Sequence, residues 1–335
     1  MAIKLLINAV DSEASGCQRL IYPVQSLAKN RGFEFEAVNT SDIRAQLRTT
    51  DIVLLQCLIG PQQHDLIKHI QSAGKPVIID YDDDFSALPK NLVERIGQSR
   101  KSIEKNWAKY LKTADMITVP CDALARRVRT YTSKPIRVLP NLLRKTDLAP
   151  VDYDPFDDLS SFRILYSCSE SHQRDFKYIM PVLKKIGEWY PNVKIISHGS
   201  LDFGYQCPKY RGKHRHYAKT SYNSYYKYIQ EFKPHVFIAP LTFTPHNAAR
   251  SDLKYLQAGA LKCAFVGSNM EPYAHLKGQM PLPEFRLGWF WTLRKLIKNP
   301  ELAREYGIAA FHDVKDNYIL DEHIDKWEAA YCELL

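Results

Sequence analysis

Short apolar runs alternate with amphipathic stretches along nearly the whole chain, and this alternation constrains the fold more than any single residue. In the first half, residues 3–10, 33–38, 51–56, 75–80, 113–119 and 136–141 read as strands. Between them, 19–30, 64–73 and 96–111 carry apolar side chains at helical spacing. Strands that alternate with helices imply a parallel, doubly wound sheet. The second half repeats the pattern with apolar runs at 163–166, 193–199, 235–241 and 264–266. The acidic, irregular stretch 144–161 lies between the halves and reads as a linker. At 335 residues the chain suits two domains better than one core. The expected division is a first domain over 1–145, a linker over 146–161, a second domain over 162–317, and a terminal segment over 318–335 with an amphipathic helix at 321–335.

Composition narrows the class. No run reaches the roughly 18 apolar residues of a membrane span. The start, MAIKLLINAV, has too short an apolar core for a signal peptide, so the expected location is cytoplasmic. The seven cysteines are scattered, odd in number and never form CxxC. That pattern favours free thiols over a disulfide framework and argues against a zinc site. The net charge of +9 suits a polyanionic partner: nucleic acid, an anionic membrane surface or phosphorylated substrates.

Ligands of doubly wound sheets sit at the carboxyl ends of the strands. In the first half that rule selects two loops. The loop 11–19 holds Gly16, where backbone can approach a ligand, and Arg19 at a helix start. The loop 80–89 opens with four carboxylates, Asp80, Asp82, Asp83 and Asp84, after a buried strand. Crowded carboxylates raise one another's pKa unless a cation or hydrogen bonds compensate. Their uses include general-base or acceptor-binding work on Asp82, Asp83 and Asp84, and metal binding by D-x-D. A phosphatase nucleophile loop built on Asp80 and Asp82 is a third. Capping of the following helix by Asp83 or Asp84 is the plain structural alternative.

The second half holds two candidate anion sites. Residues 167–175, SCSESHQRD, form a polar turn between a strand and a helix, with Ser169 and His172 able to donate to a phosphate and Asp175 able to orient it. Residues 251–273 read as loop, helix, turn and strand, with Ser251 as N-cap. A helix start carries free N–H groups and a partial positive charge, and Lys254 adds a full charge one turn in. Asn247, Asp252 and Gln257 complete this set.

Ser251-x-x-Lys254-x-x-Gln257-Ala258-x-Ala260, followed by Val266, Ser268 and Pro272-Tyr273, is similar to a block of the glycogen-synthase-like glycosyltransferases of the GT-B fold. Val138-Leu139-Pro140-Asn141 and the acidic loop before Leu88-Pro89 resemble further phrases of that group. The resemblance implies two Rossmann-like doubly wound domains facing across a cleft, with a last helix crossing back to the first. It implies sugar transfer from a UDP- or GDP-linked donor to a hydroxyl of a glycan, including a lipid-linked one, without metal and with retention. The family's glutamate is Gln257 here, and an amide hydrogen-bonds hydroxyls without carrying charge. Donor-binding roles then fall to Ser169, His172, Asn247, Ser251, Asp252, Lys254 and Gln257, and sugar or acceptor contact to Gly16 and Arg19.

Residues 203–230 leave the acceptor open. They hold six Lys or Arg, seven tyrosines and no Asp or Glu. Cations with interleaved aromatics suit a nucleic-acid backbone, so Lys209, Arg211, Lys213, Arg215 and Lys219 form a candidate polyanion patch. The resemblance extends to phage enzymes that glycosylate hydroxymethylated DNA bases. The same run also fits a solvated loop or contact with an anionic surface, and Tyr222, Tyr225, Tyr226 and Ile229 fall at the spacing of a helix core. A sugar-nucleotide or nucleic-acid binding module without catalysis is the non-enzymatic alternative.

Overall fold

The computed structural model describes residues 2–11, 13–206 and 214–335. Lys209, Arg211 and Lys213 of the expected patch lie outside the described residues. The chain divides into two compact units: Met1–Arg144 with Ala249–Ser251 and Leu320–Leu335, and Lys145–Ala248 with Asp252–Ile319.

The first unit is built on six parallel strands: β1 (Lys4–Asn8), β2 (Glu34–Ala37), β3 (Ile52–Gln56), β4 (Val77–Asp80), β5 (Met116–Val119) and β6 (Ile136–Val138), in the order β2-β1-β3-β4-β5-β6. Every residue of β3, β4 and β5 is buried, as expected for central strands covered on both faces. The helices His64–Ser72 and Arg100–Thr113 bury Ile67, Ile70, Ile103, Trp107 and Leu111 against Val53, Leu55, Val77, Ile79 and Ile117. Each such side chain contributes about 1.5–3 kcal/mol by leaving water. The expected 19–30 helix is α-helical only over Tyr22–Arg31, and a π-helical turn, Cys17–Ile21, leads into it. The closing helix Asp325–Cys332 packs on Tyr22–Arg31. Asp321 accepts from Ser26 at 2.6 Å, and Arg31 meets Glu328 at 2.8 Å. Order β2-β1-β3 reverses direction between β1 and β3, so the loops after those two strands bound the switch point where ligands of such sheets bind.

The second unit has five parallel strands: β7 (Phe162–Cys168), β8 (Val193–Gly199), β9 (His214–Tyr217), β10 (Val236–Ala239) and β11 (Ala264–Gly267), in the order β11-β10-β7-β8-β9. Helices Gln173–Trp189 and Arg286–Lys298 cover one face, burying Phe176, Ile179, Leu183, Trp289 and Leu293 against Phe162, Ile164, Tyr166 and Val266. The switch point here lies between β7 and β10. The stretch read as a linker belongs to this unit: the Arg163 guanidinium donates to the Pro155, Asp158 and Lys233 carbonyls at 2.7–3.0 Å. The basic stretch contains an edge strand, β9, where a loop was expected. Gly199 ends β8 at φ +104°, and a Cβ there would stand 2.2 Å from the Cys168 carbonyl oxygen. Only glycine permits that approach. Among the described residues, no helix is long and apolar enough to cross a membrane.

Candidate functional site

At the switch point of the first unit, side chains from three strand ends meet. Ser15 donates to Asp82 Oδ2 and accepts from Gln56 Nε2 at 3.0 Å. Gln56 Oε1 accepts from Val10 N at 3.0 Å. The Cys57 thiol, at φ +51°, donates to Asp82 Oδ1 at 3.3 Å. Burial, then the neighbouring Asp83, push the Asp82 carboxyl above its ordinary value, against the pull of Ser15 and Cys57. A carboxyl so perturbed in a strand-end loop has the character of a general base or an acceptor ligand.

Its neighbours are otherwise engaged. Asp84 is buried; its Oδ1 caps Ser86 N at 3.0 Å and its Oδ2 meets Arg127 Nε at 3.3 Å, so it builds the turn. Asp80 forms a two-point ion pair with Arg19, at 3.1 and 2.8 Å, and accepts from Thr118 at 2.7 Å. Side chains of both are at most 2% exposed. Arg19 also donates to Asn141 Oδ1 at 3.2 Å and to the Leu139 carbonyl. Arg19, expected at a sugar, therefore ties β4 to the segment after β6. Gly16, expected at a ligand, packs against its own chain: a Cβ would lie 1.7 Å from the Asp11 carbonyl oxygen. The tie between Asp80 and Arg19 also removes the free nucleophile that a phosphatase loop needs.

In the second unit, Asp175 is the hub of the β7–β10 switch point. The polar turn after β7 places it in the first turn of the helix Gln173–Trp189. Oδ1 accepts from Thr242 N and Thr242 Oγ1 at 2.7 Å each, and from Asn247 Nδ2 at 2.9 Å. Oδ2 pairs with His172 Nδ1 at 3.0 Å. Burial works against this carboxylate, yet His172 and Thr242 hold its pKa below the ordinary value. His172 and Asn247, chosen from sequence, are thus joined through an aspartate that fixes both.

A second network lies on the other face of β7. The Tyr225 hydroxyl donates to Ser167 Oγ at 3.0 Å and to Gln257 Oε1 at 3.4 Å. Lys254 Nζ donates to the same Gln257 oxygen at 3.0 Å. Ser167 Oγ contacts His198 Nδ1 at 3.0 Å. His198 Nε2 is buried and has no hydrogen-bond partner among the described residues. Burial first, then the charge of Lys254, lower the His198 pKa to about 4, so the ring is neutral at pH 7. Cys168 lies within reach of both networks: burial pushes its thiol up to about 12, with Lys254 pulling down and Asp175 pushing up.

The remaining expected residues scatter. Ser169 pairs with Ser171 at 2.9 Å. Ser251 is not the N-cap; the helix Leu253–Ala260 begins after Asp252, and Ser251 Oγ accepts from Asn141 at 2.8 Å within the first unit. Burial raises Asp252 to about 6 despite His275 at 3.4 Å. Asp252 stands at the N-cap position without a side-chain cap bond, and Lys254 is the cation of this helix's first turn. Asp175, read from sequence as orienting a phosphate beside His172, instead anchors His172, Thr242 and Asn247; sequence reading missed Ser167, His198 and Tyr225. The Ser167–His198 pairing across β7 and β8 was readable only as two polar residues at the ends of apolar runs.

The tyrosines of 203–230 divide differently from a stacking platform. Tyr222, Tyr225 and Tyr226 are buried, and Tyr217 stacks on Phe232 at 3.9 Å. Arg215 and Lys219 are exposed. Among the described residues, no three His, Cys, Asp or Glu side chains converge as a metal cage.

No known protein family matches the chain by sequence, and no curated protein does. Solved structures match it throughout. The structure of Anabaena HepE in complex with UDP-glucose superposes with a TM-score of 0.70 at 8% identity, covering 98% of this chain and 100% of that one. The sucrose-phosphate synthase of Thermosynechococcus elongatus gives 0.68 at 12%, covering 99% of each. TarM gives 0.62 at 13% over 83% of this chain, which spans 54% of that protein's length. Two parallel-sheet α/β units with these relatives constitute the GT-B fold.

Proposed function

We propose that this GT-B chain is a glycosyltransferase that moves a sugar from a nucleotide-sugar donor to a hydroxyl of a glycan. One observation carries the reading: Lys254, Gln257, Tyr225, Ser167 and His198 form one hydrogen-bonded network at the strand ends of the second unit. The network ends in a buried imidazole nitrogen without a partner among the described residues. An orphan polar atom in such a place calls for a ligand atom. A cation beside amide and hydroxyl groups suits a diphosphate joined to a sugar or ribose.

In this reading Lys254 stabilises the leaving diphosphate, where negative charge builds in the transition state. Gln257 and Tyr225 bind sugar or ribose hydroxyls. His172, held by Asp175, donates to a donor phosphate, and Asn247 fixes the loop after β10. On the acceptor side, Asp82 of the first unit orients or deprotonates the attacking hydroxyl, its raised pKa matching that task. The HepE structure with UDP-glucose supports a UDP-linked donor. Lys254 as the resident cation supports metal-independent transfer; retention rests on the resemblance alone, in which Gln257 replaces the family's glutamate. Burial of Tyr222, Tyr225 and Tyr226 favours a glycan over DNA, because those rings are not available to stack on bases.

The experiment is a panel of UDP- and GDP-linked sugars, scored by thermal shift and by release of nucleoside diphosphate. A shift and slow hydrolysis with one donor supports the reading. No shift with any donor, in a protein shown to be folded, defeats it.

A further inference from the structure

We propose that the helix Arg286–Lys298 and the end of the helix Gln173–Trp189 form an attachment surface for an anionic lipid bilayer. The helix Arg286–Lys298 has two faces with different fates. Trp289, Phe290, Leu293, Leu296 and Ile297 are buried in the core of the second unit. The other face leaves Leu287 57% and Trp291 50% exposed, one helical turn apart, with Phe285 62% exposed just before the helix. Trp189 joins them: its ring lies 5.3 Å from Phe290, which lies 5.3 Å from Trp291, and it is 54% exposed. Two tryptophans, a phenylalanine and a leucine thus share one outward surface, where a water-facing helix normally carries polar groups.

The cations around this surface identify the partner. The segment RLGWFWTLRKLIK contains Arg286, Arg294, Lys295 and Lys298 and no acidic residue. Arg294 lies over the Trp291 ring at 5.2 Å, and Lys185 over Trp189 at 4.9 Å. Arg286 is held over Tyr178 at 5.1 Å. Glu188 and Glu284 stand at the edge, and Glu284 is engaged by Asn269 at 2.7 Å. Tryptophan seats its ring at the boundary between headgroups and acyl chains, while lysine and arginine stems lie along apolar surface with their charge at the headgroups. A helix with bulky apolar groups and cations on one side binds in the plane of an anionic interface. A nucleic acid would use the cations and rings but gains nothing from Leu287. The inference does not depend on the sugar-transfer reading, since attachment is measured without donor or acceptor.

The test is flotation of the full chain with vesicles of phosphatidylcholine alone and with vesicles containing about a third phosphatidylglycerol. Binding is expected to the anionic vesicles and to weaken with salt. Replacing Arg294, Lys295 and Lys298 together by Gln should reduce it roughly a hundredfold, at about a factor of five per cation near the surface. Trp189→Ala, Leu287→Ala and Trp291→Ala together should reduce it at least about tenfold. If either variant fails to fold, brominated phosphatidylcholine in the anionic vesicles decides with the wild-type chain. Trp107, Trp289 and Trp327 are buried, so only Trp189 and Trp291 can be quenched. Absence of binding at low salt, absence of quenching, or full binding by both folded variants overturns the proposal. Loss of duplex DNA binding in the variants, with vesicle binding unchanged, overturns it in favour of nucleic acid.

Discussion

Substituting Asp175 by Asn isolates what the hub of the second unit contributes. The carboxylate accepts from His172, twice from Thr242, and from Asn247. An amide keeps one acceptor oxygen for Thr242 and Asn247 but turns an NH2 group towards His172 Nδ1. One charge-assisted bond is lost, about 1.5–3 kcal/mol, and the others fall to the strength of neutral bonds. Relief from burying a charge returns part of this, leaving a net loss of about 3 kcal/mol. For a unit of this size that lowers Tm by roughly 6–12 °C. The folded pKa of Asp175 is depressed, so its stabilisation is present above the unfolded carboxylate value. It is lost as pH falls through the folded value. The Tm gap between wild type and Asp175→Asn should therefore be full at pH 7 and close in strong acid. Thermal melts by circular dichroism across that range measure it. In the same variant, donor-induced thermal shift should shrink, because His172 and the loop carrying Asn247 lose their common anchor. A variant that melts within about 2 °C of wild type at pH 7 refutes the hub.

Lys254→Ala should weaken donor binding by about 10- to 150-fold, the equivalent of one charged hydrogen bond, with Tm little changed; wild-type turnover in that variant removes Lys254 from the donor site. Transfer should survive EDTA, since Lys254 takes the cation's task; activity abolished by chelation and restored by manganese would make the acidic loop a metal site. Asp82→Asn should cut turnover while Asp84→Asn costs stability, because only Asp84 holds a turn through Ser86 and Arg127; equal loss of turnover in both, with both equally stable, contradicts that division. Gly199→Ala should destabilise by roughly 1–3 kcal/mol, through its left-handed backbone and the Cys168 carbonyl in the way; chemical denaturation reads it.

The strand–helix alternation, the two-sheet class and the strand-end loops were legible because periodicity records which side chains leave water, and burial dominates the energetics of central strands. Lys254, Gln257, His172 and Asn247 were legible as polar residues in those loops. What sequence alone left undetermined was pairing between distant residues. Four carboxylates within five residues look alike, yet Arg19, Arg127 and Ser15 give Asp80, Asp84 and Asp82 three different fates. The partners lie 61, 43 and 67 positions away, and no local spacing encodes them. Tyr225 reads as a residue at helix-core spacing, and only the register of β7 and β8, which sets Ser167 beside His198, brings its hydroxyl into a polar network. Strand order, fixed by which apolar faces pack, decided which loops share a switch point, and so which of the legible residues could act together.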